Sequence, residues 1–231
     1  MVARYRIWGA CAVGNIREHQ EDAIGLPFTD DVRPARACGE AIGRCWAVVA
    51  DGIGGHAAGE VASELAVAMM ASVLDQVETE QQLRGCLQMV DHELQASMNT
   101  HPEFAGMGTT IVGALVNDDD CLVFNLGDSR AYVSSGEGLS LVSRDHSDGH
   151  YLTGCLGGSS AGMQQPHIIR IRVAARTRLL LCTDGLTNML RVEQIEGVLA
   201  ARHSHPARAL VDAAVAAGGR DNVSVVVMSR E

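Results

Sequence analysis

The sequence predicts a layered α+β domain built on antiparallel sheet. Short apolar runs with strand character recur along the chain, two amphipathic helical patterns occupy its first half, and closely spaced strand-like runs follow from 109 to 142. Tight turns join antiparallel strands, whereas parallel strands need a long crossover. Helices and strands that come in blocks are typical of layered α+β domains. Because 231 residues suffice to bury one core, residues 1–231 are predicted to form a single domain.

The individual elements follow from the spacing of apolar residues. Helical spacing over 57–76 and over 81–98 predicts two consecutive helices, and weaker patterns over 190–200 and 205–217 predict two more before the last strand. The run 109–142 is expected to be an antiparallel meander. The segment 29–43 is expected to be an exposed loop. Strands are predicted at 5–11, 44–50, 109–116, 121–126, 130–134, 139–142, 168–173, 178–182 and 222–229.

Charge and composition exclude several classes of partner. The formal net charge is −10, from 18 Lys and Arg against 28 Asp and Glu, and no basic run occurs. Nucleic acid and anionic membranes bind clustered cations, so neither is expected as a partner. The chain has no apolar run of about 18 residues that would span a bilayer and no signal-peptide pattern at its N-terminus. Seven scattered cysteines without a Cys-x-x-Cys pair are typical of a reducing compartment, which predicts a cytoplasmic location.

Carboxylates recur at the ends of the predicted strands. Asp51, Asp128 and Asp184 each follow an apolar run beside glycine, Asp221 precedes the last run, and Glu21 and Asp22 form an acidic pair near the start. One such aspartate is ordinarily a turn residue. Several of them at one rim of a sheet would repel each other unless cations neutralised them. Oxygen ligands without a His or Cys cluster indicate Mg²⁺ or Mn²⁺, and a pair of such ions can activate water and clamp a phosphoryl group.

Eight blocks along the chain carry a resemblance to a known family. They are Gly14 with Arg17 and 21–23 (EDA), 49–56 (VADGIGGH) with 59–60 and 62–63, 106–110 (GMGTT), 125–132 (NLGDSRAY), 145–147 (DHS), 152–153 with 156–157, 181–187 (LCTDGLT) and 221–227 (DNVSVVV). With these blocks in order, the chain resembles the metal-dependent protein phosphatases of type 2C, the PPM family, in their compact bacterial form.

The resemblance implies a fold and an activity. The fold would be a four-layer α-β-β-α sandwich, in which two antiparallel sheets are flanked by helices. The activity would be hydrolysis of phosphoserine and phosphothreonine by in-line attack of a metal-bridged water. Two Mn²⁺ or Mg²⁺ ions would be needed, with a third ion held more weakly. The substrate would be a phosphoprotein, by analogy the product of a Ser/Thr kinase. The oligomeric state is left open, with a monomer favoured.

The resemblance also implies roles for individual residues. Asp51 would bridge the two ions, the Gly52 carbonyl would bind one of them, and Asp184 and Asp221 would complete the other. Arg17 would bind the phosphate, which its forked donors suit.

Four further positions are implied less directly by the family pattern. Glu21 and Asp22 match an acidic pair that holds metal-bound waters, and Asp128 with Asp184 would serve the third ion. Ile53 stands where animal members carry a candidate acid, so His56 and metal-bound water are the candidates for protonating the leaving oxygen. Relatives carry a helical insert and a flap between the blocks 145–147 and 152–153. Here only residues 148–151 separate these blocks, so the flap is expected to be truncated.

Other interpretations have to be set against this one. Cys11 and Arg17 are separated by five residues, the spacing of a cysteine phosphatase loop, although Glu18, Glu21 and Asp22 add negative charge where a thiolate needs positive potential. The run 52–57 fits a loose dinucleotide fingerprint but lacks a βαβ unit. A catalytically inactive phosphatase fold that binds a partner is the third alternative.

Overall fold

The computed structural model describes residues 2–54, 57–135, 138–148, 151–158 and 163–231. His56, a candidate acid, lies outside these residues. In chain order the elements are β1 Arg4–Ala12, β2 Asp22–Gly25, β3 Ala37–Ile42, β4 Arg44–Ile53, α1 Ala57–Val73, α2 Glu80–Thr100, β5 Gly108–Thr109, β6 Ile111–Asn117, β7 Asp120–Leu126, β8 Arg130–Ser135, β9 Gly138–Leu141, β10 Ser147–Asp148, β11 Tyr151–Leu152, β12 Leu156–Gly157, β13 His167–Arg172, β14 Arg178–Cys182, α3 Asp184–Thr187, α4 Val192–Ala200, α5 Pro206–Ala216 and β15 Val223–Arg230.

The strands form two antiparallel sheets. The first sheet has the spatial order β3-β1-β15-β14-β8-β9, and the second has the order β12-β5-β4-β6-β7-β13 with β2 paired to β4. A separate short hairpin joins β10 and β11. Helices α1 and α2 pack on the second sheet, and α3, α4 and α5 pack on the first. The predicted α-β-β-α sandwich of two antiparallel sheets flanked by helices is confirmed.

Apolar residues form three layers, one between the two sheets and one between each sheet and its helices. This arrangement explains why the strand sequences are almost continuously apolar. In β15, Val225 and Val227 face the helices, while Val226 and Met228 face the other sheet. In β4, Trp46 packs towards α1 and α2, and Ala47 packs between the sheets. Successive side chains point to opposite faces of a strand. Because both faces of each sheet are covered, the alternation of polar and apolar residues that marks a one-sided antiparallel sheet is lost.

The two predicted helices of the first half are present at the expected positions. Helix α2 begins at a capping box, in which the Thr79 hydroxyl accepts from the Gln82 amide and the Gln82 side chain accepts from the Thr79 amide. Its buried face consists of residues at helical spacing, namely Leu83, Leu87, Val90 and Leu94. Among the described helices, none combines the length and apolar character needed to cross a membrane.

Two expectations about the chain path were wrong. The segment 29–43 contains β3, which pairs with β1, so it is not simply an exposed loop. The run 109–142 is not one meander, because β7 belongs to the second sheet and β8 to the first. The chain crosses between the sheets at Gly127, whose φ of 115° strongly favours glycine. The buried Ser129 hydroxyl then lies 2.7 Å from that of Thr110.

Candidate metal centre

The predicted site residues converge on one cleft at the end of the two sheets. This cleft has a volume of about 310 Å³. Asp22 lies directly behind it and is buried. The structure therefore brings together the predicted residues that it describes. Those that line the cleft are Arg17, Glu21, Asp51, Gly52, Asp128, Asp184 and Asp221.

Asp22 and Asp51 hold the back of the cleft. They are direct partners in the antiparallel register of β2 and β4. Ile24 and Val49, two residues along each strand, pack between the sheets, so both carboxylates cap the inter-sheet core. The Thr183 hydroxyl, from the other sheet, donates to Asp22 Oδ2 at 2.9 Å. Asp22 Oδ1 is buried without a hydrogen-bond partner among the described atoms.

Burial and mutual repulsion raise the pKa values of these carboxyl groups. The pKa of Asp51 lies well above its ordinary value, mainly through burial and then through the charges of Asp22, Asp184, Asp221 and Asp128. Burial likewise raises the pKa of Asp22 to about 7, against the opposing effect of the nearby Ser224 and Thr183 hydroxyls. The pKa of Asp184 rises to about 6 through burial and the neighbouring aspartates. Keeping all of them ionised requires positive charge in the cleft.

Two threonines position the backbone of Asp51. The Thr110 hydroxyl accepts from the Asp51 amide at 3.0 Å, and the Thr109 hydroxyl donates to the Asp51 carbonyl at 3.0 Å. At the next residue, a Cβ on Gly52 would lie 2.1 Å from the Gly59 carbonyl oxygen and 2.7 Å from that of Glu21. Only glycine therefore lets the start of α1 and the acidic pair approach the end of β4 this closely.

Asp184 and Asp221 also line the cleft, and they lie next to the ends of β14 and β15 of the first sheet. Asp184 opens α3 and accepts from Asn188 Nδ2 at 2.9 Å. Asp221 Oδ1 accepts from the Asn222 amide at 2.9 Å. A Cβ on Gly185 would lie 1.8 Å from the Asn222 carbonyl oxygen, so this glycine allows the two loops to touch.

Asn222 ties the Asp221 loop to the acidic pair. Its Nδ2 donates to the Val13 and His19 carbonyls at 2.9 Å, and its Oδ1 accepts from the Glu21 amide at 2.7 Å. The loop that carries Arg17 and Glu21 is thereby fixed to the loop that carries Asp221. The hydrogen bonds of this side-chain amide therefore fix the relative position of the two loops.

Arg17 is the basic side chain among the described residues that line the cleft. Its Nη2 lies 2.8 Å from Asp221 Oδ2, and about half of its side chain is exposed. The guanidinium therefore lies at the mouth of an acidic cleft, where it can contact an incoming anion.

The donor set fits hard divalent cations. The cleft offers carboxylates and backbone carbonyls, and Asp22 Oδ1 is a buried oxygen without a donor. In the described ranges, however, no group of three or more His, Cys, Asp or Glu side chains is already arranged to hold one ion. Asp221 is bonded to Arg17 and Asp184 to Asn188. Cation binding would therefore require some of these carboxylates to exchange their present partners.

Asp128 and the β10–β11 hairpin border the cleft on its remaining side. Burial raises the pKa of Asp128, and the charge of Asp145 adds to this rise. Asp145 itself forms a two-point ion pair with Arg130 at 2.7–3.1 Å. Leu152 of β11 lines the cleft, and the neighbouring Tyr151 is 80% exposed. The flap region thus contains two strands of two residues each among the described positions.

Several residues that position the site received no role from the sequence. Thr110, Thr183 and Asn222 lie within the blocks that carry the family resemblance, but their side-chain partners come from distant parts of the chain. The available signal was a polar residue next to a strand end, and such residues are buried only when their hydrogen bonds are satisfied.

Cys11 does not lie in the cleft. It is 5% exposed near the end of β1 and packs between the two sheets. Burial raises the pKa of its thiol to about 12. A nucleophilic cysteine needs an accessible thiolate, so the structure argues against the cysteine phosphatase alternative. All seven cysteines are free thiols.

Known proteins resemble this chain in sequence and in fold. A profile of the protein phosphatase 2C family matches residues 19–217. The serine/threonine phosphatase stp of Listeria monocytogenes is 31% identical over an alignment that covers 94% of this chain and 93% of that protein. Among solved structures, the Mycobacterium tuberculosis serine/threonine phosphatase PstP/Ppp has a TM-score of 0.79 at 27% identity and 99% coverage of both chains. The catalytic domain of PstP in complex with two manganese ions has a TM-score of 0.82 at 26% identity and covers 100% of this chain and 99% of that one.

Proposed function

The chain belongs to the protein phosphatase 2C family and is a protein serine/threonine phosphatase, and we propose that the acidic cleft described above carries its reaction. The observation that supports this proposal most strongly is the convergence of five acidic side chains and one arginine on a single cleft. The family and the two-manganese relative support a dinuclear metal site in this chain.

The proposed metal ligands are Asp51, the Gly52 carbonyl, Asp184 and Asp221. Glu21 and Asp22 would orient water next to them, because Asp22 is braced by Thr183 and has one oxygen free of protein donors. Asp128 would serve a third, weaker cation together with Asp184, whose pKa its charge raises. When bound, divalent cations supply Lewis-acid activation of water and neutralise charge on the phosphoryl group.

Arg17 would bind the phosphate and orient it for in-line displacement. Its guanidinium lies at the cleft mouth, and its planar donors match two phosphate oxygens. Asp22 is buried at the back of the cleft, which would keep bulk solvent away from that side of the reacting atoms. His56 stays a candidate for protonating the leaving oxygen, outside the described residues.

The substrate is proposed to be a protein phosphorylated by a Ser/Thr kinase, and the reaction is proposed to occur in the cytoplasm. We also propose that residues 1–231 act as one catalytic domain, because the cleft takes Asp51 from the second sheet and Asp184 and Asp221 from loops of the first. A catalytically inactive, partner-binding fold is disfavoured, since every proposed metal ligand is present.

Substitution separates this proposal from its alternatives. Asp184→Asn keeps the size of the side chain and removes its charge, so one cation should bind poorly and kcat for a phosphothreonine peptide should fall on the order of a hundredfold or more. Asp212→Asn is the matched control, because Asp212 is an exposed helix residue paired with Arg208. Cys11→Ser should retain most activity, and EDTA should abolish it. Full activity in metal-free buffer, or an inactive Cys11→Ser beside an active Asp184→Asn, would overturn the proposal.

A further inference from the structure

Arg17 and Asp221 form an ion pair between two groups that the reaction needs separately. Nη2 and Oδ2 lie 2.8 Å apart, and the two side chains are 52% and 35% exposed. One nitrogen makes the contact, so the pair lacks the two-point geometry of the Arg130–Asp145 pair. Exposed pairs of this kind contribute little to stability. The pair can therefore open at small cost.

The surrounding backbone keeps the two partners within reach of each other. The Asn15 amide donates to the Gly219 carbonyl at 2.6 Å, and Asn15 Nδ2 donates to the Val215 and Gly218 carbonyls. A Cβ on Gly14, at φ 86°, would lie 2.3 Å from the Asp221 carbonyl oxygen. The loop 13–21 and the loop 217–222 are thus held together by backbone contacts, so Arg17 and Asp221 can exchange partners through side-chain rotation without separating the loops.

Under the proposed function, each partner would have a competing ligand in the same cleft. A cation that binds Asp221 weakens the hold of this carboxylate on the guanidinium, and a phosphate that binds the guanidinium releases Asp221. Each event therefore favours the other, in addition to the direct attraction between cation and phosphate. Coupling of this kind is reciprocal by thermodynamic linkage.

We propose that Arg17 and Asp221 are an exchangeable pair that couples cation binding to phosphate binding. Arg17 stays paired with Asp221 until a divalent cation takes its place on this carboxylate, and the guanidinium is then available for phosphate. This inference rests on the proposed function, because it assigns Asp221 to a cation and Arg17 to phosphate. It predicts that the phosphate-binding arginine opposes loading of the cation.

The test is Mn²⁺ affinity, measured by calorimetry without substrate. Arg17→Ala should lower the Kd for Mn²⁺ about two- to fivefold, the equivalent of releasing a pair worth about 0.5–1 kcal/mol. Arg220→Ala is the matched control, because Arg220 is an exposed neighbour of Asp221 without a described ion pair; its Kd should stay at the wild-type value. In an Asp221→Asn background, Arg17→Ala should no longer change the Kd of the remaining Mn²⁺.

Inorganic phosphate provides the second readout. Phosphate should lower the Kd for Mn²⁺ in both proteins, because the direct attraction between cation and phosphate is common to both. The factor by which phosphate lowers this Kd should be about two- to fivefold larger in the wild type than in Arg17→Ala. Two results would overturn the exchangeable pair while leaving the proposed metal site intact. One is a Kd for Mn²⁺ that is unchanged or raised in Arg17→Ala; the other is an Arg17→Ala substitution that lowers this Kd as much in the Asp221→Asn background as in the wild type. If the wild type binds Mn²⁺ no better than Asp184→Asn, the proposed function itself fails and this inference fails with it.

Discussion

Asp22 and Asp51 lie directly opposite each other on β2 and β4, and both carboxylates close the end of the inter-sheet core. Like charges in direct cross-strand register are destabilising, and here Asp22 is buried and Asp51 is half-buried as well. The strands are held in this register by apolar residues two positions away on each strand, Ile24 after Asp22 and Val49 before Asp51. The fold thus maintains a repulsive pair that a bound cation would relieve.

The first prediction concerns stability against pH in EDTA. The raised pKa values of Asp22, about 7, and Asp184, about 6, lie above the value near 3.9 of an unfolded aspartate. Between these limits the folded protein binds more protons than the unfolded chain, so the free energy of unfolding should fall as pH rises from about 4 to about 7. Each extra proton contributes a slope of about 1.4 kcal/mol per pH unit. Urea unfolding at four pH values would measure it.

Two controls accompany this measurement. Asp22→Asn removes one of the titrating groups and should flatten the slope. Saturating Mn²⁺ should reverse its sign, since cations bind the ionised carboxylates and stabilise the folded state. A free energy of unfolding that rises with pH in EDTA would contradict the prediction.

The second prediction concerns Thr183, which is buried and bridges the two sheets at the site. Its hydroxyl donates to Asp22 and accepts from the Ser224 amide at 3.1 Å. Thr183→Val leaves both groups unsatisfied, so we expect a loss of about 1–3 kcal/mol in the free energy of unfolding. Thr183→Ser keeps the hydroxyl and should recover most of this loss. Urea unfolding of both variants tests the assignment, and a Thr183→Val protein as stable as the wild type would refute it.

The third prediction concerns Arg33, which fastens β2 to α1. Its Nε donates to the Asp22 carbonyl at 2.9 Å, and its guanidinium also contacts Glu60 and Glu64. Arg33→Ala should lower the free energy of unfolding by about 1–3 kcal/mol, because a largely buried carbonyl loses its charged donor. Arg36→Ala, an exposed arginine in the same loop, is the control and should change it by less than about 0.5 kcal/mol. Equal effects of the two substitutions would show that Arg33 has no bracing role.

The fourth prediction concerns the short β10–β11 hairpin. With two described residues in each strand, it offers few side chains to a peptide bound at the cleft. Phosphopeptides with different flanking residues should therefore differ little in kcat/KM. A panel that spreads over more than about a hundredfold, or about 2.7 kcal/mol of differential transition-state binding, would show that other surfaces select the substrate.

Much of the fold was predictable because local spacing encodes it. The apolar runs of β1, β4, β14 and β15 and the helical spacing of α2 lie at the predicted positions. The strand β3 was missed, since its exposed and half-buried residues alternate without an apolar run. The crossing from β7 to β8 was also missed, because a tight turn looks the same in sequence whether it joins strands of one sheet or of two.

The sequence by itself determined which residues could form the site. Its aspartates lie beside glycine at strand ends, and they occur in the same order as in the metal-dependent phosphatases that the chain resembles. Only the tertiary structure decided how these residues are held. The Asp22–Asp51 register, the Thr183 bridge and the Arg17–Asp221 pair each join positions far apart in the chain. Such contacts depend on how two sheets pack and on which loops meet at their end, and neither is encoded in local spacing or residue propensity.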